Sequence, residues 1–203
     1  MPTQKNISIT GAAGSLDGVI HLPDTAPLAV AVMTHPLPIM GGTMDNKVVT
    51  TLAKTFVELG YATLRFNFRG VGQSAGSYDE GNGETLDAIA AANFMRGEFP
   101  GLPLLLAGFS FGAYVQARAA AELQPQQLVL IAPAVGRFAM PVVPAGTLIV
   151  HGDLDEVVEL HEVLQWARPQ QLAVTVLAGA GHFFHGRLTQ LKQIVQRHFG
   201  KQP

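Results

Sequence analysis

Two kinds of apolar pattern divide this chain. Near its start, residues 5–10 and 16–22 alternate apolar and polar positions, with Gly11 and Gly14 between them. A period of two is the mark of strands that bury one face, so these predict an antiparallel pair at a sheet edge. Further along, residues 28–33 form an apolar run, and another begins at Leu104 just after Pro103. Runs without alternation predict inner strands buried on both faces of a parallel sheet. Further strands are predicted at 61–67, 127–132, 147–151 and 172–177.

Between the strands the apolar period lengthens to that of a helix. Val48, Val49, Leu52, Phe56 and Leu59 predict one helix, with Thr43 and Asp45 as candidate N-caps and Gly60 at its C-terminal end. Residues 84–95 predict a second, with Leu86, Ile89, Ala90 and Phe94 on its inner face. An alanine-rich helix runs on from Phe111, and two more are expected near 157–166 and at 188–199. Strands alternating with helices predict an α/β fold: a mostly parallel, doubly wound sheet with helices on both faces. No repeat, low-complexity tract or linker interrupts the pattern, so residues 1–203 read as a single domain.

Composition narrows the function classes. The chain has 203 residues, 48% of them hydrophobic and 14% charged, which suits one large core. A formal net charge of −2 gives no electrostatic basis for binding nucleic acid or an anionic membrane. With no cysteine, disulfides and thiolate metal sites are excluded. Met1–Asn6 carries no apolar signal core, and no run approaches the length of a membrane span. A cytoplasmic location is the expectation.

The chemistry centres on Gly108-Phe109-Ser110-Phe111-Gly112, which lies where a buried strand turns into a helix. In so sharp a turn a Cβ at 108 or 112 would collide with backbone, so both positions need glycine. The turn exposes the Ser110 hydroxyl above the sheet, over a helix N-terminus that favours negative charge. A serine hydroxyl becomes a useful nucleophile only when a base takes its proton and a third group orients that base.

Candidates for both partners follow in order, each just past a predicted strand. The stretch from Thr147 to Val158 supplies Asp153 and Asp155, and the loop after 172–177 supplies His182 and His185. Asp155 is favoured as the acid because it is expected directly before a helix, whereas Asp153 follows Gly152 and suits the turn. His182 is favoured as the base because its glycine-rich loop leaves it free to face Ser110, while His185 is expected at the start of the last helix. The His182-x-x-His185 spacing has no third ligand to make a metal site, and no cofactor is implied. An oxyanion needs two fixed N–H donors. One is expected from Phe111, and the other from the loop 35–38, where the prolines leave His35 and Leu37; Leu37, further out, is favoured.

Two other motifs have simpler readings. Gly70-x-Gly72-x-x-x-Gly76 misses the dinucleotide fingerprint by one position, and no helix begins there, so it reads as a turn. Arg69 reads as a residue that pins loops together.

With these residues in view, the chain resembles the α/β-hydrolase superfamily. More narrowly, it is similar to small bacterial hydrolases without a cap that are related to dienelactone hydrolases and short acyl-esterases. The resemblance rests on His35-Pro36-Leu37-Pro38, the stretch from Gly41 to Val49, Phe66-Asn67-Phe68-Arg69-Gly70-Val71-Gly72 and the serine turn. It implies a triad of Ser110, Asp155 and His182. Dienelactone hydrolases use a cysteine nucleophile, which this chain lacks, so their substrate does not carry over. Only residues 133–146 separate two strands where relatives insert a cap, which implies an open pocket. The expected function is hydrolysis of small to medium acyl esters through an acyl-enzyme. Alternatives are acyl transfer with the same triad, or a non-catalytic ligand-binding or signalling module. An apolar rim around an open pocket also allows a homodimer.

Overall fold

The computed structural model describes residues 3–200; Met1 and Pro2 of the N-terminal stretch lie outside them. The chain opens with the hairpin β1 (Thr3–Gly11) and β2 (Gly14–Leu22), then runs through β3 (Ala29–Thr34), α1 (Lys47–Glu58) and β4 (Tyr61–Phe66). It continues through α2 (Asn82–Glu98), β5 (Leu104–Phe109), α3 (Phe111–Leu123), β6 (Gln127–Ile131) and β7 (Leu148–Gly152). α4 (Leu160–Ala167), β8 (Val174–Leu177) and α5 (Leu188–Phe199) complete it. The strands form one eight-stranded sheet in the order β1-β2-β4-β3-β5-β6-β7-β8. Only the β1–β2 and β2–β4 pairings are antiparallel; from β4 to β8 every pairing is parallel. This is the α/β-hydrolase fold expected from the sequence.

Burial explains the order. β3 and β5 are buried at every position, as their unbroken apolar runs predict for strands covered on both faces. On one face α1 and α5 pack Val48, Val49, Leu52, Phe56, Leu191 and Val195 against the sheet. Phe56 sits between the rings of Tyr61 and Phe199, with centroids 5.5 and 5.3 Å away. On the other face α2, α3 and α4 cover the sheet. Among the described residues no helix is long and apolar enough to cross a membrane.

Three local expectations are corrected. Asn46, rather than Thr43 or Asp45, caps α1, its side-chain oxygen accepting from the Val48 N–H at 2.9 Å. Asp45 turns aside to pair with Arg65 of β4. α4 begins at Leu160, because Asp155 first closes a separate turn by accepting from the N–H groups of Val157 and Val158 at 2.9 and 2.8 Å.

The third correction concerns the inner face of α2. Of the expected face, Ile89 and Phe94 pack partly against the core, but Leu86 is 51% exposed, while Glu84, Asp87, Ala88, Ala91, Ala92 and Met95 are buried. The cause is Arg69, whose guanidinium enters the interior and binds Asp87 with two hydrogen bonds of 3.0 and 2.8 Å. The Arg69 N–H donates to the same carboxylate at 3.0 Å. Glu84 likewise accepts from the N–H groups of Asp79 and Gly81. A buried charge is tolerable only when paired in this way, so the carboxylates set the helix rotation. Gly83 makes room for the pair, since a Cβ there would lie 2.0 Å from Arg69.

Candidate active site

The site is assembled at the C-terminal ends of the parallel strands, where open α/β sheets leave a crevice. Ser110 follows β5, Asp155 follows β7, His182 follows β8 and Leu37 follows β3.

Packing dictates the serine turn. A Cβ at Gly108 would stand 2.3 Å from the Gly112 carbonyl oxygen, and one at Gly112 would stand 2.5 Å from that of Thr34. Both glycines are therefore demanded by close backbone approach. The Thr34 hydroxyl donates to the Gly112 carbonyl at 2.8 Å, fastening the start of α3 to β3. Ser110 itself has φ 55° and ψ −117°, a strained conformation for a residue with a side chain. Its N–H donates to the Ile131 carbonyl at 2.9 Å, which helps to hold the strain.

The three side chains favoured from the sequence meet in a buried line. His182 Nε2 lies 2.9 Å from Ser110 Oγ, and its Nδ1 lies 2.8 Å from Asp155 Oδ2. Ser110, Asp155 and His182 are 7%, 7% and 2% exposed. Burial alone would raise the Asp155 carboxyl, but hydrogen bonds from His182 and from the Val158 and Val157 N–H groups outweigh it, and the group lies below its ordinary value. An ionised carboxylate only accepts, so the imidazole proton belongs on Nδ1. That leaves Nε2 to accept from the serine hydroxyl. The His182 ring is packed against Phe109, with centroids 5.1 Å apart, and its backbone N–H reaches Glu156 at 3.3 Å.

The rival residues stand elsewhere. Asp153 accepts from the Gly179 N–H at 2.6 Å and so ties the loop after β7 to the loop after β8. His185 is exposed and stacks on Phe183, in the turn before α5 rather than at its start.

Two buried histidines support the site, and sequence reasoning gave neither a supporting role. His151 is wholly buried at the end of β7, with Nε2 2.9 Å from the Val158 carbonyl and 3.5 Å from Asp155. Burial lowers its pKa despite those two neighbours, so it is a neutral N–H donor and not an ion-pair partner. A polar residue inside a strand buried on both faces was the available signal.

His35 matters more. Its Nδ1 lies 2.7 Å from the Pro36 carbonyl, and its Nε2 accepts from the Phe68 N–H at 3.0 Å. Burial pushes its pKa down to about 4, so the ring is neutral and donates through Nδ1. The Pro36–Leu37 peptide is trans, so drawing its carbonyl toward His35 aims the Leu37 N–H the opposite way. The Leu37 carbonyl is held from the other side by the N–H groups of Met40 and Gly42, both at 3.1 Å. A Cβ at Gly42 would lie 2.0 Å from the Pro36 oxygen, so glycine is required there as well. The second expected donor, the Phe111 N–H, opens α3, where the first N–H groups have no partner within the helix.

Beside this line lies a pocket of about 280 Å³ whose wall includes Ser110, His182, Leu37, Phe111, Met40, Val157 and Phe183. Residues 133–146, too short to make a cap, instead contribute Ala134, Arg137 and Phe138 to the wall.

A profile of the serine aminopeptidase S33 hydrolase family matches residues 37–146, from the Leu37 loop past Ser110. The chain belongs to this family. The hydrolase is also similar, at 42% identity and a TM-score of 0.93, to a lidless α/β serine hydrolase from Xanthomonas campestris, covering 98% of this chain and 97% of that one. It is similar to an α/β serine hydrolase homologue from Coxiella burnetii at 41% identity and a TM-score of 0.86, covering 95% and 96%. An uncharacterized protein of Rickettsia prowazekii is 30% identical over 213 residues, 93% of this chain and 86% of that protein. Like its lidless Xanthomonas relative, this hydrolase has no cap over the crevice among the described residues.

Proposed function

We propose that this protein is a serine hydrolase that cleaves carboxylic esters of small to medium acyl groups through an acyl-enzyme on Ser110. The observation that carries the reading is the buried line of contacts from Ser110 through His182 to Asp155, opening on a largely apolar pocket. Ser110 Oγ attacks the carbonyl carbon while His182 Nε2 takes the hydroxyl proton. Negative charge collects on the former carbonyl oxygen and is met by the N–H groups of Phe111 and Leu37. The bond to the leaving alcohol then breaks, and His182 returns the proton to that alcohol. Water repeats the attack with His182 as base, releasing the carboxylate and restoring Ser110. Asp155, held ionised, fixes the imidazole tautomer and stabilises the imidazolium formed twice in each cycle.

The family name points to peptide substrates, which the same acyl-enzyme chemistry serves. An aminopeptidase must also hold an ammonium group beside the scissile carbonyl. Among the described residues no carboxylate lines the pocket, and this favours the ester. The test is labelling with a fluorophosphonate probe, with the modified peptide read by mass spectrometry. A single adduct on Ser110 that is absent from Ser110→Ala is the expected result. An unlabelled wild type that is folded by circular dichroism would refute an activated serine and move the ligand-binding alternative ahead.

A further inference from the structure

The pocket holds one permanent charge. Of its lining residues only His182 and Arg137 are ionisable, and His182 is engaged between Ser110 and Asp155. The remaining wall is mostly apolar, from Pro36, Leu37, Met40, Phe111, Ala134, Phe138, Val157, Val158 and Phe183, with the amide of Asn46 at one side. Arg137 makes no ion pair among the described residues. Its guanidinium lies over the Phe138 ring at 5.9 Å, a contact that directs the group while leaving its N–H donors open. The carboxylate packed on the same connection, Glu162, faces Gly136 instead, where a Cβ would meet it at 2.6 Å.

We propose that Arg137 selects esters that carry a carboxylate, by offering an unpaired guanidinium on the wall of the pocket that holds Ser110. This rests on the esterase reading above and deepens it to a substrate class. A planar, always-charged fork without a counter-charge matches a carboxylate with two parallel hydrogen bonds. The apolar walls around it accept the hydrocarbon part of the substrate. A cationic substrate meets repulsion at the same place, with no acid among the described lining residues to relieve it. The carboxylate is carried either at the far end of the acyl chain or on the leaving alcohol; both present the same chemistry to Arg137.

Paired substrates test this in the full-length protein. The 4-methylumbelliferyl half-ester of adipic acid is compared with the same compound methylated at its free carboxyl, which places the charge on the acyl side. The acetyl ester of 4-hydroxybenzoate is compared with its methyl ester, which places the charge on the leaving group. In at least one pair kcat/KM should favour the carboxylate form by about tenfold, the worth of a charge-assisted hydrogen bond at a partly open site. That ratio should fall toward one in Arg137→Gln and, for wild type, in 1 M salt, because screening acts on the charge alone. Arg137→Glu should turn the preference toward the neutral member of the same pair. Neutral esters hydrolysed as fast as both carboxylate forms, or a preference that Arg137→Gln leaves intact, would overturn the assignment while leaving the esterase reading standing. Hydrolysis of none of the four esters would sink both.

Discussion

The buried imidazole of His35 gives the most direct test of how the Leu37 amide is held. His35→Phe keeps a ring of similar size but deletes both hydrogen bonds, leaving the Pro36 carbonyl and the Phe68 N–H without partners. Each buried orphan costs about 1–3 kcal/mol, so the variant should lose about 2–6 kcal/mol at pH 7. The loss should shrink in acid. Below about pH 6.5 the unfolded chain protonates this residue, while the folded site refuses the proton until about pH 4. Wild type therefore loses stability progressively across that window and gains no further penalty below it. The interval corresponds to about 3 kcal/mol that the variant does not lose. Urea unfolding of both proteins from pH 7 to pH 4 should show the gap between them narrowing by roughly that amount. Turnover supplies a second readout. Freed of its clamp, the Leu37 amide should lose aim without being lost, and kcat should fall about tenfold or more, up to the 10²–10³ known for losing one oxyanion donor outright. KM should change little. Parallel stability curves would show that His35 is not the group resisting protonation. An unchanged kcat in folded variant would detach the clamp from the chemistry.

Two further substitutions test the supporting structure. Arg69→Met strands the buried Asp87 carboxylate and should cost about 3–5 kcal/mol, visible in calorimetry as a melting point lowered by roughly 6–20 °C; an unchanged melting point would mean that the pair contributes nothing net. His151→Leu removes the donor beside the Val158 carbonyl and Asp155, and should cost about 1–3 kcal/mol. Because the same change loosens Asp155, kcat on any ester should drop a few-fold at constant KM, and a folded variant with wild-type kcat would limit His151 to packing.

The parts of the fold that were legible in the sequence are those in which a local pattern and a tertiary environment coincide. β3 and β5 are apolar throughout because they are covered on both faces, and α5 begins and ends where its spacing predicts, at Leu188 and Phe199. Gly108 and Gly112 were legible because a single turn creates the collision that demands them. α2 was misread for the opposite reason. Its inner face carries Glu84 and Asp87, and what admits them is Arg69, eighteen residues upstream of Asp87 and outside any helical period. A pattern of apolar residues contains no information about which charge will be neutralised. The same limit displaced the start of α4, where the carboxylate of Asp155 closes a turn of its own.

The two supporting histidines, whose side-chain roles the sequence did not reveal, show how the site differs from the elbow that announces it. Order along the chain narrowed the candidates to Ser110, two aspartates and two histidines, because each follows a strand and the sheet gathers strand ends together. The expected turn and helix positions then favoured Asp155 and His182. His35 and His151 act inward, on backbone carbonyls, and their roles depend on which nitrogen carries the proton. Burial decides that: it keeps both rings neutral, and a neutral ring next to a carbonyl must donate to it. At His35 that donation turns a peptide plane, and the plane aims the amide expected to meet the oxyanion. The catalytic proposal therefore depends on two layers with opposite needs. Asp155 must stay charged to support His182, and it does so through three hydrogen bonds that outweigh burial. The histidines beneath must stay uncharged, and the same burial that Asp155 overcomes is what keeps them so.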